Sequence, residues 1–476
     1  MNDMTATGLI PDEYQKTFNR LQERSVALGA STAQERAAKI RQLYRAVYDL
    51  RHEISRAGQK ELGMDGKMHL VPMKGEVEFV CERLAGWMAR EDVEDVLALQ
   101  GRKAYVLHEP KGVVLHLAAW NSPVLIALSP LIGMIAAGNA IVVKPSEITP
   151  RNAELVRKII DKAELGDDIE VVTGGPEAAE ALLRLPFNHI CYVGNNRIGK
   201  LVMKAAAEHF AGVTLEMGGK NPVIVAADAD IEDAAAKLAF ARNLIAGQVC
   251  LAPDYILVDE TVKDAFTEAL TRNLSRMFDP EGKGAQHSKD LARIVNTRHA
   301  ERIKQLVDDA VAKGAKVLHG GAFDVEQRFV APTVISEVTD DMDIAHEEIF
   351  GPVLVVSGFT QRQDAIAQIA KRPKPLGLYI FTASRETADW YVAHTRAGTT
   401  VINNAVVQAN IPTLPFGGVN HSGIGRIGGH AGFKEFSNPR SIVEDAFNPA
   451  EGPPMNYPPF AAETGMFIDM LLTPSD

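Results

Sequence analysis

The feature that most constrains the fold is an alternation of apolar strand-like runs with amphipathic helical stretches, which begins at Val113. The first strand-like runs lie at residues 113–117, 140–143, 169–172 and 189–193. Because short connections join them to the intervening helices, the pattern predicts a parallel, doubly wound α/β sheet. Such a sheet binds ligands at the carboxyl ends of its strands. The alternation resumes at 223–226 and ends near 401–404, so we expect a second α/β lobe.

Composition excludes several classes of protein. The 476 residues are 46% hydrophobic and 23% charged, which is ordinary for a globular chain and unlike a disordered or fibrous one. Fifty basic and 61 acidic residues give a net charge of −11, which disfavours nonspecific nucleic-acid binding. The first residues lack the pattern of a signal peptide, and we expect a cytoplasmic protein.

The apolar segment 123–143 is long enough to cross a membrane, but polar and helix-breaking residues interrupt it. We interpret it as a buried helix, a turn at Gly138 and a buried strand, and we expect no membrane span. The three cysteines, Cys81, Cys191 and Cys250, do not form a disulfide framework. Since no Cys-x-x-Cys or His-x-x-x-His pair is present, we expect no metal site.

Two short segments suggest contacts with a phosphate or a ribose. Gly194 to Gly199 follows an apolar run and opens a predicted helix, so its backbone amides can receive an anion, although a plain turn explains it equally simply. Lys144 and Glu147 follow the strand-like run 140–143 and can bind a ribose diol, or form a solvated turn.

Three further residues suggest acyl chemistry. Glu216 lies between apolar neighbours, where burial would raise its pKa and suit it to general-base catalysis, unless an ion pair stabilises it. Cys250 lies in a predicted loop, whereas the other cysteines lie in apolar runs typical of packing residues. The Asn121 amide follows a strand and can donate to an oxyanion, or simply form a polar turn. The segment around Glu348 and Phe350 combines an acid, an aromatic ring and a tight turn.

These segments occur together in a fixed order, and here the sequence resembles the aldehyde dehydrogenase superfamily over nearly its whole length. The segments that carry the resemblance are PKGVVLHLAAWNSP, GNAIVVKPSEITP, YVGNNRIGK, LEMGGKNP, GQVCLAPDY, EEIFGPV and PFGGVNHSGIGR. Glu216 and Cys250 lie 34 positions apart, which fits the family's spacing of base and nucleophile. The short N-terminus, KPSE, CLAPDY and the extended tail most resemble the class 3 branch, which acts on medium- and long-chain, fatty and aromatic aldehydes.

The resemblance implies that Cys250 attacks the aldehyde, that Asn121 and the Cys250 amide hold the oxyanion, and that Glu216 activates water to hydrolyse the thioester. It implies NAD as cofactor, with NADP as an alternative. The residues it implies for cofactor binding are Lys144, Glu147, Gly194, Asn195, Gly199, Glu348, Phe350 and Trp120. Asn195 departs from the family, in which a small hydroxyl residue is usual at this position. We therefore expect the geometry of this loop to differ from that of other members.

The resemblance also implies a domain organisation. Residues 1–102 and 111–218 would form the NAD(P)-binding domain, and 219–404 the catalytic domain. Residues 103–110 and 440–444 would form a β-arm that makes a homodimer or tetramer, leaving 405–439 and 445–476 as a C-terminal segment and tail. The implied substrate pocket is roomy and mostly apolar, which suits aromatic or bulky aldehydes. Its residues would be Ser122, Leu125, Ser129, Asn243, Leu244, Val249, Leu251 and Phe416.

Three other functions stay open from the sequence. An acyl-transferring relative would pass the thioester to a thiol such as coenzyme A, but it should lack the base Glu216. A non-catalytic binding protein on this fold should have lost Cys250, Asn121 or Glu216, and all three are present. A cysteine hydrolase would need a histidine paired with Cys250, and none lies near it in the sequence.

Overall fold

The computed structural model describes residues 10–96, 99, 102–445 and 462–474. The N-terminal region folds into helices because apolar residues recur at helical spacing between charges. Thr32 and Glu35 form a capping box at the start of the second helix, in which each side chain accepts from the other residue's N–H. The elements are α1 (Asp12–Gly29), α2 (Ala33–Asp49), α3 (Arg51–Leu62), α4 (Val71–Met88), β1 (Glu91–Asp92) and β2 (Lys103–Pro110).

The next part of the chain forms the predicted doubly wound sheet. Its strands are continuous apolar runs, which is typical of parallel strands that helices cover on both faces. The elements are β3 (Val113–Leu117), α5 (Pro123–Ala137), β4 (Ala140–Lys144), α6 (Pro150–Lys162), β5 (Ile169–Val171), α7 (Pro176–Leu182), β6 (His189–Gly194), α8 (Asn196–Glu208) and β7 (Gly212–Met217).

The second lobe repeats this alternation with longer excursions. Its elements are β8 (Asn221–Val225), α9 (Ile231–Asn243), β9 (Pro253–Asp259), α10 (Lys263–Phe278), α11 (Thr297–Ala312), β10 (Lys316–His319), β11 (Phe323–Asp324), β12 (Phe329–Val330), β13 (Thr333–Ser336), β14 (Val353–Phe359), α12 (Arg362–Ala370), β15 (Gly377–Phe381), α13 (Arg385–His394) and β16 (Thr399–Ile402). The main sheet has the order β10-β13-β14-β9-β8-β15-β16, and its β10–β13 pair is antiparallel.

The remaining elements are β17 (Gly423–Ile424), α14 (Gly429–Glu435), β18 (Ser437–Glu444) and α15 (Ala462–Leu472). β17 pairs antiparallel with β7, so the first sheet has the order β17-β7-β6-β3-β4-β5. The chain leaves β3 toward β4 and β5 and then crosses back to β6. The switch point of the sheet therefore lies between β3 and β6, which is where an open α/β sheet binds its ligand.

The chain divides into two compact units, one of residues 1–87 and 109–438 and the other of residues 88–108 and 439–476. Within the described part of the smaller unit, β1, β2 and β18 form a three-stranded sheet. β2 matches the first half of the predicted arm, and β18 begins three residues earlier than expected. The functional limits of the domains and the role of this sheet in assembly stay predictions.

The apolar segment 123–143 forms α5 and β4, joined at Gly138, whose φ is +89°. This confirms the predicted helix, turn and strand. In the part of the chain that the structure describes, no helix is long and apolar enough to cross a membrane.

Candidate active site

Cys250 lies in a turn that the backbone reaches through unusual conformations. After α9, residues Leu244–Gly247 form a short helical turn in which Ile245 and Ala246 have φ of 50° and Gly247 has φ of 75°. A side chain at position 247 would collide with the carbonyl oxygen of Gly351, which explains the glycine. The turn that carries Cys250 therefore packs directly against the turn that follows Glu348.

Two fully buried amides hold the Cys250 turn. The Asn221 Nδ2 atom donates to the carbonyl oxygens of Cys250 at 2.7 Å and Ala252 at 3.0 Å. The Gln248 side chain donates to the carbonyl of Arg293 at 3.0 Å, among other backbone contacts. The sequence analysis missed both residues, although Asn221 lies in the quoted segment LEMGGKNP. The available signal was a polar residue at the start of an apolar strand.

Cys250 and Glu216 are in direct contact, although they come from different elements. Glu216 is buried near the end of β7, and the Cys250 thiol lies close enough to its carboxylate for each group to shift the pKa of the other. Burial raises the pKa of Glu216 to about 7, against the opposing effect of the Cys250 thiol. Burial and the neighbouring Glu216 also raise the pKa of the Cys250 thiol well above its usual value. The Oε1 atom of Glu216 is buried and has no hydrogen-bond partner among the described residues.

Glu348 contributes a second carboxylate close to this pair. It lies so close to Gly218 that any side chain at position 218 would overlap the Glu348 carboxylate. The Gly219 N–H donates to Glu348. Burial, together with the charges of Asp254 and Glu216, raises the pKa of Glu348 to about 8. The two glycines after Glu216 therefore allow a second acid to approach the base.

A buried ion pair positions Glu348. The Lys220 ammonium pairs with Asp254 and donates to the carbonyls of Ile344 and Glu347, each at 2.9 Å. The second Asp254 oxygen accepts from the Ile349 N–H at 2.9 Å. The sequence analysis missed this pair, because the two residues lie 34 positions apart and neither has a recognisable motif partner.

Asn121 is buried between β3 and the first residue of α5, at the carboxyl edge of the first sheet. The preceding Trp120 ring packs edge-on against Phe350, with centroids 5.5 Å apart, and against His299 at 5.2 Å. Burial lowers the pKa of His299 to about 4, so its ring is neutral near pH 7. Trp120 and Phe350, both predicted near the cofactor, thus lie side by side.

Lys144 and Glu147, both predicted to bind a ribose, pair with each other. Lys144 is 5% exposed at the end of β4, and its ammonium lies 3.0 Å from Glu147 Oε2. Glu147 is 41% exposed, so its carboxylate remains accessible to a ligand. The pair lies at the carboxyl edge of the same sheet as Asn121, since Leu117 and Lys144 are paired in the β3–β4 register.

The glycines around the start of α8 have a packing role. A side chain at Gly194 would collide with the Tyr192 hydroxyl, and one at Gly199 would collide with the Met217 sulfur. Asn195 caps the helix, because its side-chain oxygen accepts from a backbone N–H of the first turn. The amide nitrogen of the same side chain takes no part in the cap and can donate a hydrogen bond to a phosphate oxygen. The unusual Asn195 is thus compatible with a helix N-terminus that receives an anion.

The predicted pocket residues differ in accessibility. The Asn243 amide donates to the Ala239 carbonyl at 2.8 Å, while its Oδ1 is buried without a hydrogen-bond partner among the described residues. Of the others, Ser122 and Leu251 are buried, and Leu125, Ser129, Leu244, Val249 and Phe416 are partly exposed.

The donor set fits a dinucleotide. A buried lysine beside an accessible carboxylate suits ribose hydroxyls, and the 13-residue helix α8 presents its N-terminus at the sheet's carboxyl edge. No group of three His, Cys, Asp or Glu side chains within the described ranges is arranged to hold a metal ion.

Comparison with known proteins identifies the family. The sequence model that represents the aldehyde dehydrogenase family matches residues 9–442 of this chain. The chain belongs to the aldehyde dehydrogenase family. This confirms the resemblance that the motifs indicated, and the protein is an NAD(P)-dependent aldehyde dehydrogenase.

Relatives include both mammalian and bacterial aldehyde dehydrogenases. The dimeric NADP-preferring aldehyde dehydrogenase of Mus musculus is 38% identical, covering 82% of this chain and 84% of its own. Aldehyde dehydrogenase family 3 member A2 of Rattus norvegicus is 35% identical, covering 82% and 79%. A substrate-bound state of AldH from Staphylococcus aureus superposes with a TM-score of 0.90 at 33% identity, covering 96% and 99%. The class 3 resemblance and the predicted fold are therefore confirmed.

The contact between Glu216 and Cys250 predicts how the thiol reacts. In Glu216→Gln, iodoacetamide should alkylate Cys250 about three to ten times faster at pH 7.5, because loss of the carboxylate lowers the pKa of the thiol. Peptide mass spectrometry measures the rate at each cysteine. Buried Cys191, 1% exposed, serves as the internal control and should remain unmodified in both proteins. An unchanged rate at Cys250 would contradict the contact.

Proposed function

We propose that this aldehyde dehydrogenase oxidises aromatic or bulky apolar aldehydes to free carboxylic acids through a hemithioacetal and a thioester on Cys250. The observation that carries this proposal is the proximity of the Cys250 thiol to the buried carboxylate of Glu216, whose Oε1 atom has no hydrogen-bond partner among the described residues. The nucleophile thus has a proton acceptor beside it, and the acceptor keeps one oxygen available for a water molecule.

In the first half of the reaction, the Cys250 sulfur bonds to the aldehyde carbon and Glu216 takes the thiol proton. The Asn121 side-chain amide and the Cys250 N–H donate to the oxyanion that forms. When bound, the oxidised nicotinamide accepts a hydride, and the hemithioacetal becomes a thioester. The Asn221 contact with the Cys250 carbonyl supports this role, because it fixes the turn from which the amide is directed.

Before the second half, Glu216 releases the thiol proton to solvent and returns to the carboxylate form. Glu216 then removes a proton from water, and the water oxygen bonds to the thioester carbon. The carbon–sulfur bond then breaks and the acid leaves. The burial of Glu216 supports this step, since its pKa of about 7 makes its carboxylate a stronger base than an exposed one. An enzyme that transfers the acyl group to coenzyme A would not need this base, so the presence of Glu216 favours hydrolysis.

The same geometry supports a binding mode for the cofactor. Lys144 and Glu147 would hold the adenosine ribose, and Glu348 the nicotinamide ribose. Phe350 and Trp120 would pack near the nicotinamide. The segment that begins at Gly194, with Asn195 and Gly199, would receive the pyrophosphate at the start of α8.

Assembly and location are further parts of the proposal. The chain would form a homodimer or tetramer through the sheet of β1, β2 and β18, and it would act in the cytoplasm on a small-molecule aldehyde. The net charge of −11 supports the absence of a nucleic-acid partner.

The identity of the nucleophile can be tested with the three cysteines. Cys250→Ser should lose more than about 99% of kcat while cofactor binding stays near normal, because a serine hydroxyl is a poor nucleophile without the thiolate. Steady-state assays that follow the reduced nicotinamide measure the loss. Cys81→Ser and Cys191→Ser are the matched controls and should keep substantial activity. A Cys250→Ser enzyme that kept a tenth of the wild-type kcat would exclude this nucleophile.

The role of Glu216 in hydrolysis predicts burst kinetics. Glu216→Gln keeps size and polarity but cannot accept a proton, so the thioester should accumulate. Reduced nicotinamide should reach about one equivalent per site, followed by turnover about 100- to 10,000-fold slower than in the wild type. Mass spectrometry of the quenched mixture should locate the acyl group on Cys250. Normal turnover, or a stalled enzyme without reduced cofactor or adduct, would rule out this base.

The pH dependence of hydrolysis provides an independent test. The carboxylate form of Glu216 is the base, and its pKa is about 7, so the single-turnover deacylation rate should rise with pH from 6 to 8 and then level off. Below about pH 7 the group is protonated and cannot accept a proton from water. A deacylation rate that is flat across this interval would contradict the assignment.

Glu147 predicts the choice of cofactor. Its accessible carboxylate can accept a hydrogen bond from the ribose 2′-hydroxyl and repels a 2′-phosphate, so we expect a preference for NAD. The adjacent Lys144 partly offsets that repulsion, and some NADP use is expected. Glu147→Gln should bring the kcat/KM values for NAD and NADP closer together, because the repulsion of the 2′-phosphate is lost. A wild-type enzyme that prefers NADP would overturn this prediction.

A further inference from the structure

The accessible face of α5 is a narrow stripe. Twelve of its 15 residues are buried, and the three that are not are Leu125, Ile126 and Ser129. These positions share one helical face, and the helix begins two residues after Asn121. We expect the substrate to lie along this stripe, which would give it a path from the proposed oxyanion donor toward Ser129.

A carboxylate lies where this path reaches Ser129. The Ser129 hydroxyl donates to Glu76 Oε2 at 2.6 Å, and the Gly429 N–H approaches Glu76 Oε1 at 3.4 Å. Glu76 comes from α4, which the sequence analysis assigned no function. In the part of the chain that the structure describes, Glu76 forms no ion pair. The hydrogen-bond partners of its carboxylate there are a hydroxyl group and a backbone amide.

The second hydrogen-bond partner of Glu76, Gly429, lies close in sequence to a residue that pairs with Phe416. Gly429 follows Ile427 by two residues, and Ile427 pairs with Phe416 through two backbone hydrogen bonds of 2.7 and 3.0 Å. Phe416 is one of the residues expected to line the substrate pocket. Glu76 is thus bordered by two separate segments, each of which includes a proposed pocket residue.

We propose that Glu76 is a specificity-determining residue, which accepts a hydrogen bond from a hydroxyl group at the far end of the aldehyde substrate. This inference rests on the proposed function of Cys250 and Asn121. Ser122 immediately precedes α5 and Ser129 lies seven residues further along, which corresponds to about 10 Å along the helix axis. A phenolic or terminal hydroxyl at about that distance from the aldehyde carbon would reach the carboxylate.

A neutral hydroxyl fits this site better than a charged group. The remaining proposed pocket residues on this path are mainly apolar, and transfer of an ammonium group into such surroundings costs much more free energy than transfer of a hydroxyl. Ser129 can remain in place as a second partner, because a hydroxyl both donates and accepts. A carboxylate with only neutral partners also retains free acceptor positions for the substrate.

A pair of nearly isosteric substrates tests the proposal. We expect wild-type kcat/KM for 4-hydroxycinnamaldehyde to exceed that for 4-methylcinnamaldehyde at least about tenfold, the worth of one hydrogen bond to a charged group. Glu76→Met keeps the length and helix propensity of the side chain but removes the acceptor, so the ratio should fall to within about threefold. Glu78→Gln on the same helix is the matched control, because Glu78 is exposed and pairs with Lys74. It should retain the wild-type ratio.

The outcomes separate this inference from the proposed function. The inference is wrong if the wild-type enzyme oxidises both aldehydes equally well, or if Glu76→Met retains the full ratio. In either case Glu76 does not bind the substrate hydroxyl, and the proposed role of Cys250 is unaffected. If Glu76→Met does not fold, Glu76→Gln should still lower the ratio at least about threefold, because a neutral acceptor is weaker. An unchanged ratio in that variant would overturn the inference. Activity that survives in Cys250→Ser would instead contradict the proposed function.

Discussion

The active site depends on a buried ion pair between Lys220 and Asp254. Taking two charges out of water is costly, so such a pair is stable only when hydrogen bonds satisfy its remaining donors and acceptors. Here Lys220 also binds two backbone carbonyls, and Asp254 accepts the Ile349 N–H. The pair thereby joins the segment after β7, the start of β9 and the turn that carries Glu348. Loss of either partner would leave a buried charge and release Glu348 from its position.

The site that this pair supports contains three acidic groups: Cys250, Glu216 and Glu348. Burial raises the pKa of all three groups, and the charge of Glu216 raises the pKa of Cys250 and Glu348 further, so the site holds one negative charge more easily than two. This matches the order of the proposed chemistry. The attack requires a thiolate, which is favoured while Glu216 holds the proton, and hydrolysis requires a carboxylate after the sulfur has become a neutral thioester. One proton position can therefore serve both halves of the reaction.

The sequence was sufficient for the fold because the evidence for it is periodic and local. Apolar runs alternating with helical stretches predict a parallel sheet, and the order of motifs predicts the family. Contacts between distant residues have no such signal: Asn221 meets the Cys250 carbonyl across 29 positions, and Ser129 meets Glu76 across 53. The two-residue strand β17 is too short to show a period. Gly194 and Gly199 were predicted to receive an anion, and contacts that the sequence does not signal give them a packing role as well, because a side chain at either position would collide with Tyr192 or Met217.

Part of the backbone strain lies where the reacting groups must be directed. Ile245, Ala246 and Phe350 adopt left-handed conformations without being glycine, each at a cost of about 1–2 kcal/mol. Such conformations persist only when surrounding contacts determine them fully, and here buried amides and the close approach of Gly247 to Gly351 do so. A group that donates to the oxyanion must be in place before charge develops on that oxygen. If the donor had to reorient during the reaction, the free-energy cost of reorientation would offset the stabilisation of the oxyanion. A turn that is held by strain and hydrogen bonds together meets this requirement better than a relaxed loop, which would sample other directions for the Cys250 amide.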